Sequence, residues 1–190
     1  MRSIVLAPYG AQYAALSYVW GHFKREMPAS LTLPAKLPKT IKDAILVTKC
    51  LNLQYLWVDK YCIKQDSHNE RKEQINTMGN IYREAEITLI AANGDDENTG
   101  LARVTSVLRE EQPFAQIGII KLVSTMRMPG FTISALEWNK RAWTYQEAIL
   151  SRRKLVFTKD QAYYKCRGMF CYESLSFPLR LLYMINSKRF

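Results

Sequence analysis

The sequence predicts an α/β fold: a central, mainly parallel sheet flanked by helices, in one domain over residues 1–190, with a hairpin added near the C-terminus. Three observations carry that prediction. Short apolar runs rich in β-branched and aromatic residues recur at 13–21, 55–58 and 87–92, which is how strands buried on both faces read. Stretches of helical period separate them, giving strand–helix–strand twice over. The polar residues at the strand ends fall where α/β proteins place ligands.

The first strand is Tyr13-Ala14-Ala15-Leu16-Ser17-Tyr18-Val19-Trp20-Gly21, stopped by its glycine. A basic connection over 22–38 holds Pro28, Pro34 and Pro38 and is too broken for a long helix. Thr40 and Asp43 give a capping signal, and Ile41, Ala44, Ile45 and Thr48 form one face of a helix reaching about Leu51. Tyr55–Val58 is the second strand and delivers Asp59 at its carboxyl end. After a seven-residue loop, Ser67-His68-Asn69-Glu70 fits the S-x-x-E capping box of a helix. That helix buries Ile75, Met78, Tyr82 and Ala85, and the third strand, Ile87–Ala92, follows at once.

Asn93–Gly100 reads as a turn-rich loop, and 101–116 carries no element signal. Ile117–Val123 reads as a strand and Met126–Gly130 as a turn. Trp143, Glu147 and Leu150 share one face of a helix running from Arg141 to about Leu150. Lys154–Thr158 and Ala162–Cys166 form the closing hairpin, turning near Lys159-Asp160. Residues 168–190 are amphipathic and basic, and read as the start of an extension cut short.

Composition narrows the class. Hydrophobic residues are 48% and charged residues 23%, as in a globular chain. No apolar run approaches the roughly 18–20 residues of a membrane span. The apolar N-terminal patch runs into a strand, so a cleaved signal peptide is not expected. Four cysteines without a C-x-x-C pair, only two histidines and no N-x-S/T site point to reduced thiols in a cytoplasmic protein and give no metal site. The formal charge of +10 favours anionic partners, nucleic acid among them, yet the basic residues are scattered and no recognition motif accompanies them.

Three segments resemble blocks of the fungal HET (heterokaryon incompatibility) domain. They are Ala15-Leu16-Ser17-Tyr18-Val19-Trp20-Gly21; Leu56-Trp57-Val58-Asp59-Lys60-Tyr61-Cys62-Ile63-Lys64-Gln65-Asp66 with Glu70-Arg71, Gln74, Met78, Ile81-Tyr82 and Ala85; and Arg141-Ala142-Trp143-Thr144-Tyr145-Gln146-Glu147. They stand in the family's order and place the blocks at 13–21, 55–92 and 141–166. The resemblance implies an intracellular fungal protein that triggers incompatibility and programmed cell death, a form of innate immunity. It further implies self-association or association with another cell-death protein. A more distant resemblance is to TIR domains. The strand Leu16-Ser17-Tyr18 ending on Gly21 is similar to the first TIR strand, implying a TIR-like first half. Trp143-x-x-x-Glu147 is similar to the W-C-x-x-E segment, with Thr144 in the cysteine's place. That segment's glutamate is catalytic in members that cleave NAD.

The chemistry implied is hydrolysis of NAD or a related nucleotide, with NAD as substrate and no resident cofactor. Breaking the nicotinamide–ribose bond builds oxocarbenium character, which a carboxylate can stabilise. Glu147 is the candidate for that role, against an ordinary salt-bridged helix residue. Trp143 could wall the site or stack on a base, or simply anchor the core. Arg141 could clamp a pyrophosphate or pair with a carboxylate. Asp59 could orient a ribose, hold Arg141 or Arg71, or cap its loop. Ser17, Tyr18, Trp20 and Gly21 lie at the first strand's carboxyl end, where substrate would approach, although large aromatics in a strand are core residues first. Gln65, Asp66 and Arg71 lie around the capped helix start, where free N–H groups could receive phosphate. The alternatives are a non-enzymatic module that signals by assembly, a nucleic-acid-binding basic domain, and a Cys62–His68 nucleophile pair.

Overall fold

The computed structural model describes residues 3–21, 33–63, 77–105, 107–108, 112–124, 126–127 and 129–174, with backbone only at 129–131, 142–143 and 145–146. Six strands form one mixed sheet in the order β2-β1-β3-β6-β7-β8. They are β1 (Tyr13–Ser17), β2 (Tyr55–Val58), β3 (Ile87–Ala91), β6 (Arg153–Phe157), β7 (Ala162–Cys166) and β8 (Phe170–Tyr172). The first four are parallel, and β6, β7 and β8 pair antiparallel. A separate hairpin joins β4 (Phe114–Ile117) to β5 (Ile120–Val123). The helices are α1 (Lys39–Cys50), α2 (Asp59–Cys62), α3 (77–84), α4 (Pro129–Ser134) and α5 (Ala142–Leu150), with a 3₁₀ turn at Glu137–Lys140. This is the α/β architecture read from the sequence.

β1 sits between β2 and β3, so both its edges are paired, and helices cover both its faces. Ala14, Ala15 and Leu16 are wholly buried, as are the five residues of β3. The two-residue period of a strand then divides the core. Ala14, Leu16 and Tyr18 pack with Ile41 and Ala44 of α1, Leu89 of β3 and Leu101. Ala15 points to the opposite face, against Tyr82 and Ala85, while Ile90 packs there with Trp138 and Val156. α1 therefore covers one face, and α3, the 3₁₀ turn and α5 cover the other. Thr88 of β3 points to the α5 side, 2.6 Å from the Ser151 hydroxyl just after α5.

Several elements differ from the sequence reading. The first strand ends at Ser17, four residues before Gly21, because the chain then leaves the sheet: Gly21 has φ +81°, and a Cβ there would meet the Asp96 side chain at 2.7 Å. Thr40 and Asp43 are not caps, since Pro38 holds the cap position of α1. Their side chains bind the 100–105 loop instead: Thr40 accepts Gly100 N–H at 3.0 Å, and Asp43 accepts Leu101 N–H and the Thr105 hydroxyl, both at 2.8 Å. The loop after Asp59 begins with the short helix α2. Ile117–Val123 is two strands turning at Gly118-Ile119, where glycine at the first turn position has φ +57° as a two-residue hairpin requires. The turn expected over Met126–Gly130 gives way at Pro129 to α4, where proline suits a first helical position. β8 had no counterpart in the reading. The Ser67–Glu70 capping box and the tail from 175 lie outside the described residues.

Asp43 ties α1 to the 100–105 loop while only 1% exposed. Asp43→Ala leaves a buried N–H and a hydroxyl without acceptors. The variant is expected to lose about 2–4 kcal/mol of stability, which lowers the thermal midpoint by roughly 5–12 °C, measured by circular dichroism. A midpoint within a degree of wild type would contradict this anchoring role.

Candidate functional site

The parallel strands run in the order β2-β1-β3-β6, so the chain leaves β1 to one side and returns on the other. In open α/β sheets such a reversal is where ligands are placed, beyond the carboxyl ends of the strands, here β1 and β3. Side chains from four distant segments meet there.

Ser17, the last residue of β1, belongs by strand alternation to the α5 face, and its hydroxyl donates to Glu147 Oε2. Glu147 lies in the second turn of α5 and is 6% exposed. The indole of Trp138 donates from Nε1 to Ser17 Oγ at 2.8 Å. Arg141, at the cap position of α5, donates from its guanidinium to the Tyr18 main-chain oxygen at 2.8 Å. That bond is available because β1 pairing has stopped at Ser17.

Asp59 follows β2 directly. Its carboxylate accepts the Trp20 indole N–H at 2.9 and 3.1 Å and the Lys60 N–H at 2.7 Å. Burial raises the Asp59 carboxyl to about 7; the Lys60 N–H opposes the rise, the Glu147 charge adds to it, and Trp20 and Arg141 restrain it. Burial likewise pushes the Glu147 carboxyl above its ordinary range, while the Ser17 hydrogen bond and Arg141 pull it down. The Arg141 guanidinium thus acts electrostatically on both desolvated carboxyls. Tyr18 is 3% exposed, and among the described residues its hydroxyl has no hydrogen-bond partner. Burial, with the charges of Asp59 and Glu97 nearby, raises its pKa far above the ordinary range. Tyr82 donates to the Leu16 oxygen at 3.2 Å, and Lys60 pairs with Glu97 at 2.7 Å.

Of the residues expected at the site, Ser17, Tyr18, Trp20, Asp59, Arg141 and Glu147 come together. Tyr18 is core as its residue type suggested, but its carbonyl fixes Arg141. Trp20 is half-buried and holds Asp59, so its part in the cluster is polar. Gly21 shapes the loop backbone against Asp95 and Asp96. Trp143 has its backbone in α5, and its side chain lies outside the described residues, as do Gln65, Asp66, His68 and Arg71. Cys62 does not resemble an activated nucleophile: burial raises its thiol pKa, and its sulfur accepts the Val58 N–H at 3.4 Å. All four cysteines are free. Among the described residues no group of three or more His, Cys, Asp or Glu side chains is placed to hold a metal, and no helix is long and apolar enough to cross a membrane. Trp138, Tyr82 and the Lys60–Glu97 pair were missed. Trp138 stands nine residues before Glu147 in an exposed-looking stretch, and nothing local marks its partner, 121 positions away.

These features define a class: an α/β domain with one buried and one half-buried acidic group at the switch point of its sheet. The family model for heterokaryon incompatibility protein (HET) matches residues 13–147, a span that begins with β1 and ends on Glu147. The chain belongs to that family. It is 27% identical over 115 residues to heterokaryon incompatibility protein 6, OR allele, of Neurospora crassa, an alignment taking in 52% of this chain and 17% of that relative. The match therefore spans about a sixth of the relative's length. No solved structure matches the chain significantly.

The raised carboxyls set a direction for pH dependence. With a folded value of about 7 against an ordinary 3.8, Asp59 binds a proton in the folded state that the unfolded chain lacks between those limits. Its contribution to stability is complete below about 3.8, falls as pH rises through that window, and is gone above about 7. Wild type is therefore expected to gain stability as pH drops from 7 to 5. Asp59→Asn should flatten that slope by at most about one proton, or 1.4 kcal/mol per pH unit. Chemical denaturation across this range measures it, and parallel wild-type and variant profiles would contradict it.

Proposed function

We propose that this HET domain is a fungal cell-death effector that hydrolyses NAD, or a related nucleotide, on self-association. The observation that carries the reading is the convergence of Glu147, Arg141 and Asp59 on the carboxyl end of β1. The strand order β2-β1-β3-β6 supports the TIR-like part of it, because the switch point of such a sheet is a nucleotide's usual place.

Each group has a part. As the bond between nicotinamide and ribose breaks, its electron pair leaves with nicotinamide and positive charge develops on the sugar. Glu147, ionised and in a poorly hydrated setting, stabilises that charge more strongly than a solvated carboxylate would. Water then forms the new C–O bond at the anomeric carbon and gives up a proton. Arg141 lies close enough to both carboxylates to offset their charge, and its fork suits a pyrophosphate. Asp59 accepts hydrogen bonds from ribose hydroxyls. With Glu147 6% exposed, substrate reaches the carboxylate only after the surface over it opens, and the reading gives that task to self-association.

The same burial favours a second reading, in which the Trp138–Ser17–Glu147 contacts are purely architectural and the domain signals by assembling with other cell-death proteins. The two part company at one substitution. Nicotinamide release from NAD by purified protein, monomeric and assembled, is expected for wild type and to fall at least about a hundredfold in Glu147→Gln. No turnover in any oligomeric state, or a Glu147→Gln variant with full turnover, overturns the enzymatic reading. Toxicity that survives Glu147→Gln establishes the assembly reading.

A further inference from the structure

We propose that Trp138 is a positioning residue for Glu147, acting through a two-step hydrogen-bond relay that runs from indole N–H to Ser17 Oγ and from Ser17 O–H to the carboxylate. The relay joins three elements distant in sequence, the 3₁₀ turn, β1 and α5, and its members are 4%, 1% and 6% exposed.

Its direction follows from donor chemistry. An indole N–H can only donate, so Trp138 occupies a lone pair of Ser17 Oγ. A serine hydroxyl has one proton, and with Trp138 on its lone pair that proton is given to Glu147 Oε2. Two bonds in series polarise one another, so the serine is a better donor with the indole in place than without it. The result is a carboxylate fixed in rotamer and favoured in its charged form, in surroundings that otherwise disfavour charge. Among the described residues, the other titratable or charged groups facing Glu147 are Arg141 at the head of its own helix, Asp59 beyond β2, and Tyr82 of α3. Arg141 favours ionisation of Glu147, and the Glu147 charge in turn raises the Asp59 carboxyl. The Tyr82 hydroxyl is committed to the Leu16 carbonyl. Among the described residues Ser17 is thus the hydrogen-bond donor to Glu147 Oε2, and Trp138 occupies a lone pair of the same Ser17 oxygen, leaving its proton for the carboxylate.

The kinetic consequence rests on Glu147 being the catalytic carboxylate; the positioning itself does not, and can be read without turnover. In wild-type protein labelled with ¹⁵N and ¹³C, the Trp138 indole N–H resonance is expected to shift with pH at the same midpoint as the Glu147 carboxyl carbon. Glu147→Gln should abolish that shift. Trp138→Phe keeps most of the ring but removes the donor, and should raise the Glu147 midpoint by roughly half a pH unit or more. The acidic limb of nicotinamide release should move to higher pH by the same amount, with KM for NAD unchanged. An indole resonance that ignores the Glu147 titration overturns the relay, as does a folded Trp138→Phe variant with an unaltered midpoint. Coupled titration in a wild type that never releases nicotinamide supports the relay and removes the nucleotide reading instead.

Discussion

Two carboxylates at one end of a sheet, one buried and one half-buried and both within electrostatic reach of the Arg141 guanidinium, are the constraint from which the rest of this site follows. A carboxylate taken out of water must be hydrogen-bonded, paired or protonated. Here all three responses are visible. Glu147 takes the Ser17 hydroxyl, Asp59 takes the Trp20 indole and a backbone N–H, and Arg141 lowers both. Burial outweighs these and lifts both carboxyls. Such an arrangement is costly to the fold and is met where charge has work to do.

The strand at the centre makes the arrangement possible. Because β1 is buried on both faces, its alternation sends Leu16 and Tyr18 to one side and puts Ser17 on the other, facing α5. Its early end frees the Tyr18 carbonyl for Arg141, and that bond fixes the head of the helix on which Glu147 rides. A one-residue change in the register of β1 would move the serine to the α1 face and leave the glutamate with no hydroxyl. Position in the sheet and chemistry at its edge are therefore one property.

Much of this was legible in the sequence, for identifiable reasons. Central parallel strands read as unbroken apolar runs, and β1, β2, β3, β6 and β7 were all placed. The α5 helix was read from its spacing, and Ser17, Asp59, Arg141 and Glu147 were singled out from strand ends and from the family blocks. What escaped depends on distant partners or on backbone geometry. Trp138 looks like any tryptophan until a serine 121 residues away is beside it. Thr40 and Asp43 carry a capping pattern, yet Pro38 takes the cap and their side chains turn to the 100–105 loop. Gly118 turns one apolar run into two strands, a change that depends on its φ rather than on hydrophobicity.

Everything proposed for the chemistry requires that this acidic cluster receive a nucleotide. That requirement is tested most directly by titrating NAD into isotopically labelled protein and following the Glu147 and Asp59 carboxyl carbons together with the Arg141 guanidinium. Saturable shifts are expected at all three, with the β4–β5 hairpin unmoved. Shifts confined to other surfaces, or none at millimolar NAD in the assembled protein, would contradict it.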